Sequence, residues 1–345
     1  MNILFTSHFF SPSVGGIEVI SDILTKYFVT QGHNVKVVTG TSASRSFDID
    51  NYNYDILRNP NPITLFRSYL WADVVFQNNI EIRMLWPLLL VRRPLVIGLQ
   101  TWIRTSSGRR GIVQFIKLLV LKLSDHVIAC SNAIRKDSCN SATVIGNPYD
   151  HKIFFRQHIE KKKNSIVFLG RLVSDKGVDL LLEACFLLRL SSYSLTIIGS
   201  GPELSWLKQL VIDKGMHDNV CFLNAMQGES LAEILNQHEI MVVPSRWLEP
   251  FGIVALEGLA CGCVVVASNG GGLPDAVGSA GLLFERMNTR DLSNKLKFLL
   301  DNPQEQESLR RHSLTHLPHF HSDIISQRYL DILLNVRRSK SKFFD

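Results

Sequence analysis

Between Ile240 and Asp275 the chain reads as strand, turn, helix and strand, and that order leaves little freedom for the fold. The apolar run Ile240 to Val243 stops at Pro244, as a short buried strand does before a residue that cannot extend the ladder. Glu249-Pro250-Phe251-Gly252 then turns into a helical segment with Ile253, Leu256 and Ala260 on apolar positions. A second strand-like run, Cys263 to Ala267, leads into Gly270-Gly271-Gly272. Glu249 and Glu257 stand eight positions apart, one before the helix and one in its second turn. They flank the unpaired N–H groups of a helix start. Those donors and the helix dipole suit an anionic or hydroxyl-rich ligand, while carboxylates accept from hydroxyls. A sugar diphosphate presents both chemistries. The spacing alone fits equally well an exposed loop glutamate and a solvated helical one.

The alternation extends along the chain. Asn2 to Ser7 is a strand, and a Ser-Pro-Ser-Val-Gly-Gly turn follows shortly after it. A helix with Val19, Ile20, Ile23, Leu24, Tyr27 and Phe28 on one face comes next, then the strand Asn34 to Thr39. This is a βαβ unit, and strands alternate with helical stretches to about residue 147. Gly15-Gly16 either brings backbone close to a phosphate or forms an ordinary β–α turn. The strand in residues 94–102 (PLVIGLQTW) ends at Gln100 and Trp102. Ligands of open parallel sheets collect at such carboxyl ends, so both residues are expected to face a cleft.

A length of 345 residues implies two domains. Asn147-Pro148 and the run Lys161-Lys162-Lys163 bracket an expected linker whose lysines should be solvated. Ser165 to Leu169 is a strand, with Gly170-Arg171 at its carboxyl end and Lys176 on the loop before the helix Val178 to Leu188. A guanidinium and an ammonium there would neutralise a diphosphate. Gly199-Ser200-Gly201-Pro202 is not a dinucleotide fingerprint, because Leu204 occupies the place of its third glycine.

The net charge of +6 is unevenly spread. Residues 1–155 hold 16 Lys+Arg against 10 Asp+Glu, and residues 156–345 hold 21 against 21. Segments 80–93 and 103–123 mix apolar runs with Arg83, Arg92, Arg93, Arg104, Arg109, Arg110, Lys117 and Lys122. They are either core helices with solvated charges or a face for an anionic membrane surface. No motif or aromatic-interleaved basic stripe points to nucleic acid. The six cysteines lack zinc-site spacing and read as reduced. His312 and His316 share a helical face, but Pro318 interrupts the cluster, and no metal site is expected. Met1 to Phe10 lacks a basic leader region, and the longest apolar run, Met84 to Val91, is too short for a bilayer. A cytoplasmic protein is expected, associated with a membrane's inner face if at all.

EPFGIVALEGLACG, with its E-x7-E pair, resembles the signature of the retaining family-4 glycosyltransferases of GT-B fold. GRLVSDKGVDLLLEA, IIGSGPEL and Gly15-Gly16-Ile17-Glu18 resemble the same family in order and spacing. The likeness covers nearly the whole chain and is most specific in its second half. It implies an α/β protein with two Rossmann-like domains facing a cleft. Residues 1–155 would bind acceptor, 156–320 would bind nucleotide sugar, and 321–345 would form a terminal helix returning to the first domain.

The resemblance further implies a catalytic set of Glu249, Arg171 and Lys176, the cations stabilising the leaving diphosphate and Glu249 orienting the donor sugar. Donor binding would fall to Gly15, Gly16, Glu257 (ribose), Phe251, Gly252, Ile253 and Val254 (backbone donors), and Met226 (nucleobase wall). Gln100 and Trp102 would lie on the acceptor side. Many relatives carry histidine where this chain has Gln100, and glutamine can hydrogen-bond a sugar but cannot carry a proton. The implied reaction is metal-independent hexosyl transfer, without a cofactor. A nucleoside-diphosphate sugar would donate to a glycan or lipid-linked acceptor in polysaccharide or glycolipid synthesis. An inactive sugar-nucleotide-binding partner and an epimerase share the binding site.

Overall fold

The structure is a computed structural model in which residues 1–13, 15–104, 111–188 and 193–341 are described. The chain divides into two compact units, one of Met1–Pro148 with Ser322–Asp345 and one of Tyr149–His321.

The first unit is built on a seven-stranded parallel sheet: β1 (Asn2–Ser7), β2 (Asn34–Thr39), β3 (Asp55–Arg58), β4 (Val74–Asn78), β5 (Leu95–Leu99), β6 (His126–Ala129) and β7 (Thr143–Val144). Their order is β3-β2-β1-β4-β5-β6-β7, with Ile3 opposite both Val35 and Val74. Ile3, Leu4, Phe5, Val74, Val75 and Phe76 are fully buried, as strands covered by helices on both faces require. The helix Gly16–Thr30 turns Ile20, Leu24 and Phe28 inward, four apart on one stripe.

The terminal helix Ser322–Ser341 packs back onto this first unit. It buries Ile325, Tyr329, Leu330 and Leu333. Tyr27 Oη donates to Gln327 Oε1 at 2.7 Å, and the Tyr329 ring meets Phe76 edge-on at 5.7 Å.

The second unit holds a six-stranded parallel sheet: β8 (Ser165–Leu169), β9 (Ser194–Ile198), β10 (Val220–Leu223), β11 (Ile240–Val243), β12 (Val264–Ser268) and β13 (Gly281–Phe284). The order is β10-β9-β8-β11-β12-β13. Both units are therefore Rossmann-like. In each, the strand order reverses beside the first strand, between β1 and β4 and between β8 and β11. Loops leaving adjacent strands at such a point diverge to opposite faces and leave a crevice at the carboxyl ends.

Three expectations change. The units divide at Pro148, not at residue 155, because the supposed linker is built into the second unit. Asn236 Oδ1 accepts from Gln157 N at 2.9 Å, and its Nδ2 donates to Phe155 O at 3.1 Å. Lys161 is not solvated. Its ammonium donates to the carbonyls of Asn236, His238 and Cys261 at 3.0, 2.8 and 3.1 Å, and burial lowers its pKa. Lys162 and Lys163 are exposed as expected.

The basic segments are not core helices. Residues 80–93 form two short 3-10 turns, Ile82–Met84 and Trp86–Leu89, since Pro87 cannot donate within an α-helix. Among the described residues the second segment is helical over Ile112–Leu123 and turns mostly outward. Arg109 and Arg110 lie outside the described residues.

Candidate functional site

In the second unit the predicted residues gather where β8 and β11 diverge. The loop after β8 carries Gly170 and Arg171, then a 3-10 turn Ser174–Lys176 that ends at Gly177 in a left-handed conformation (φ 69°). A Cβ at Gly177 would stand 2.2 Å from the Pro244 carbonyl oxygen, so only glycine lets this turn lie against the exit of β11. Arg246 fastens the two loops. Its backbone N–H donates to Asp175 O at 2.8 Å. Its guanidinium holds both Asp179 oxygens at 2.6 Å and reaches Ser174 O at 3.0 Å. The Asp179 hydrogen bonds raise the Arg246 pKa.

That clamp places Lys176 beside Glu249. Lys176 Nζ is 2.5 Å from Glu249 Oε1, and Ser245 Oγ donates to the same oxygen at 2.8 Å. Ser268 Oγ at the end of β12 donates to Ser245 O at 2.9 Å. Gly272 N donates to Glu249 O at 2.7 Å, and this close approach needs glycine at 271 and 272, where a Cβ would stand 2.2 Å from the Glu249 and Pro250 carbonyl oxygens respectively. Glu249 is only 9% exposed and is held by groups from three loops.

The helix Ile253–Ala260 begins at Gly252 (φ 123°); Ile253 and Val254 in its first turn are half-buried, and their N–H groups are helix-start donors. The Phe251 ring is buried, 5.7 Å from Phe320, so its part in a ligand site is limited to backbone. Glu257 follows on the same helix. Among the described residues its carboxyl has no hydrogen-bond or ion-pair partner. It keeps a partial opening to solvent, yet the density of protein around it pushes its pKa up to about 7. Arg171 is exposed and, among the described residues, also unpaired. One free cation, one free carboxyl and open helix-start donors thus surround the Lys176–Glu249 pair. Met226 is half-buried on the loop after the edge strand β10, two strands from β8. The Gly199-Ser200-Gly201 turn has a packing role, since Ser200 O accepts from Leu172 N at 2.9 Å.

The first unit places its candidates less uniformly. Gly15 caps the helix Gly16–Thr30, and a Cβ there would meet Glu18 Oε2 at 2.6 Å. The Glu18 carboxyl therefore stands over this turn. Trp102 is half-exposed, with the Arg104 guanidinium 5.9 Å from its ring and Arg104 paired to Asp137. Gln100 does not face a ligand surface. It is 4% exposed, and its Nε2 donates to Tyr329 Oη of the terminal helix at 3.3 Å. Its Oε1 is buried without a partner among the described residues.

Ser245, Arg246, Asp179 and Ser268 escaped the reading of the sequence. Ser245 and Arg246 follow directly on the end of β11, which marks them as site-proximal. Nothing local pairs Arg246 with a residue 67 positions away. His312 and His316 hydrogen-bond the carbonyls of Ser279 and Ala276 at 3.3 and 2.8 Å and pack the second unit.

Residues 150–314 match the family model described as glycosyl transferases group 1. An uncharacterized glycosyltransferase of Methanocaldococcus jannaschii is 36% identical over 315 residues, covering 76% of this chain and 79% of that protein. A D-inositol 3-phosphate glycosyltransferase of Paenarthrobacter aurescens is 34% identical over 163 residues, 45% of this chain and 40% of its own length. Among solved structures, Anabaena HepE in complex with UDP superposes with a TM-score of 0.84 at 18% identity, covering 97% of this chain and 100% of that one. Sucrose-phosphate synthase of Thermosynechococcus elongatus gives 0.81 at 19% identity, covering 98% and 99%. At these identities the structural likeness is one of fold, that of GT-B glycosyltransferases.

Proposed function

The chain belongs to the group 1 glycosyltransferases, and from that premise we propose that it transfers a hexosyl group from a nucleoside-diphosphate sugar with retention of anomeric configuration. The observation that carries this reading is the cluster at the carboxyl ends of β8 and β11. There Lys176, Ser245 and Glu249 are joined beside an unpaired Arg171, an unpaired Glu257 and an open helix start. Arg171 and Lys176 stabilise negative charge growing on the leaving diphosphate, an electrostatic contribution aimed at the transition state. Ile253 and Val254 N–H groups, with Phe251 and Gly252 backbone beside them, hold phosphate or sugar oxygens. Glu257 accepts from ribose hydroxyls, Met226 borders the base, and Glu249 orients the donor sugar. Gly15 and Gly16 supply backbone near the diphosphate.

A leaving phosphate oxygen that takes the acceptor's proton on the same face gives retention without a side-chain base. Such a route accommodates the absence of histidine at position 100. Trp102 serves the acceptor, which we take to be a glycan or lipid-linked sugar of cell-surface polysaccharide or glycolipid synthesis. Gln100 supports the terminal helix instead. The reaction as written uses no metal. The basic apolar face of the first unit would rest on an anionic membrane at its cytoplasmic side.

A thermal-shift series with UDP, GDP, ADP and their sugars tests the donor class, because a ligand of the native state raises the unfolding midpoint. A UDP-sugar is the first candidate, given the UDP held by the Anabaena neighbour. Failure of every nucleoside diphosphate to raise the midpoint would remove the reading. Binding without turnover on any acceptor would leave a sugar-nucleotide-binding partner. Product anomers resolved by proton NMR decide retention and expose epimerisation.

A further inference from the structure

The helix Ile112–Leu123 (IVQFIKLLVLKL) is apolar at nine of its twelve positions, yet Leu121 is its one buried residue. A helix apolar around most of its circumference is ordinarily covered. Here Ile112, Phe115, Leu119 and Leu123 open to solvent, and beside them Leu89 is 86% exposed. Contiguous apolar exposure on this scale marks an interaction surface.

Between the helix and the 3-10 turns lies a cavity of about 890 Å³. Ile82, Leu85, Trp86 and Leu89 wall one side, and Ile116 and Val120 wall the other. Arg92, Arg93 and Arg337 also line it, with Asp73 and Asp125. Most of these charges are committed. Arg93 donates to the carbonyls of Tyr69 and Leu70 at 3.0 and 2.7 Å, Arg337 pairs with Asp73 at 3.7 Å, and Asp125 accepts from Leu95 N at 2.8 Å. Arg92 and Lys122 are exposed and Lys117 is half-buried, and all three are unpaired among the described residues. No acidic residue occurs from Ile103 to Ser124.

We propose that this cavity seats a hydrocarbon chain of an anionic membrane lipid, with the helix lying in the membrane interface and Arg92, Lys117 and Lys122 meeting the headgroup charge. The proposal rests on the membrane placement above and adds a site for a single chain. Charge complementarity selects the occupant. A second copy of this face would bring the same unpaired cations against one another, whereas an anionic lipid surface supplies both apolar chains and opposite charge. The helix spans about 18 Å at 1.5 Å per residue, too short to cross a bilayer. No described helix is long and apolar enough to do so.

Trp86 makes the site readable, because bromine on an acyl chain quenches indole fluorescence only at close range. The full chain is titrated with dibrominated lysophosphatidylglycerol below its micelle concentration, and separately with phosphatidylglycerol and phosphatidylcholine vesicles. The expected result is saturable quenching by the monomeric lipid that disappears in Trp86→Phe. Val120→Phe, which narrows the cavity, and Leu89→Glu, which charges its exposed wall without disturbing packing, should each weaken it at least fivefold. Val120→Phe should change binding to phosphatidylglycerol vesicles by less than twofold. Vesicle binding without Trp86 quenching overturns the chain site and leaves the membrane reading standing. Absence of both defeats the two together. Equal quenching by lysophosphatidylcholine overturns the headgroup assignment. A dimer in sedimentation velocity that Leu89→Glu dissolves would show that a second copy covers this face instead.

Discussion

Lys176 Nζ lies 2.5 Å from Glu249 Oε1, so the cation proposed for the diphosphate and the carboxylate proposed for the sugar neutralise each other in the free protein. Ser245 Oγ shares that carboxylate oxygen and holds it in place. A donor entering this site exchanges one partner of the ammonium for another, which limits the desolvation it must offset. Lys176→Met should therefore slow transfer and also lower stability, by about 1–3 kcal/mol, since it leaves a largely buried carboxylate without its cation. Adding Glu249→Gln should restore most of the stability and none of the turnover. A double-mutant cycle on unfolding free energy, run beside initial rates, checks both halves.

Arg171 behaves differently because, among the described residues, it has no hydrogen-bond or ion-pair partner. Arg171→Ala should leave unfolding within about 0.5 kcal/mol of wild type. It should weaken nucleoside diphosphate binding by about 1.5–3 kcal/mol, the worth of a charge-assisted contact. Calorimetric titration against denaturant unfolding separates the two. Unchanged affinity would end the assignment.

The two glutamates should fail in separate ways. Glu257→Gln should weaken free nucleoside diphosphate and donor sugar alike, since both carry the ribose. Glu249→Gln should nearly spare the free diphosphate and lower kcat, because its contact is with the transferring sugar. Equal loss of diphosphate affinity in both variants contradicts the division of roles.

Glu257 also predicts a pH signature. Burial raises its pKa from 4.5 to about 7, so the folded protein holds this proton where the unfolded chain has released it. The stability contributed by that proton is complete below pH 4.5 and is lost as pH rises through about 7. Glu257→Gln should accordingly gain stability over wild type at pH 8, by about 1–3 kcal/mol, and gain less at pH 5. Ribose hydroxyls bond best to the ionised carboxylate, so donor affinity should rise through the same range in the wild type. That part of the pH dependence should vanish in Glu257→Gln, which calorimetry at pH 6, 7 and 8 would show.

Gly177 tests the loop that delivers Lys176. Its φ of 69° and the 2.2 Å approach of Pro244 O penalise any side chain twice. Gly177→Ala should destabilise by about 1–3 kcal/mol or more and weaken diphosphate binding. Gly215→Ala is the control, because Gly215 shares the left-handed backbone (φ 64°) with nothing within 4 Å. It should cost only the backbone strain, about 1 kcal/mol, and spare binding. Thermal unfolding with and without UDP reports both.

What a short span of chain can decide was legible in the sequence of this protein. The strand, turn and helix from Ile240 to Ala260 follow from apolar periodicity, a proline stop and a glycine entry. Glu249 and Glu257 consequently sit before and within one helix, since eight residues leave the backbone no other economical path. The parallel alternation was readable for the same reason, whereas the terminal helix was expected from the family resemblance. Contacts between distant segments were settled only by the tertiary structure. Lys176 reaches Glu249 across 73 residues because Arg246 clamps Asp179 and Gly177 admits Pro244. Lys161 turns inward because three carbonyls converge on it, while Lys162 and Lys163 in the same run stay in water. Gln100 is buried because the helix carrying Tyr329 returns over it from 229 positions away. The apolar helix Ile112–Leu123 is exposed over much of its surface because, among the described residues, no element covers it. Periodicity states which face of an element is apolar. What covers that face, and which charge meets which, depends on neighbours that the chain brings up from elsewhere.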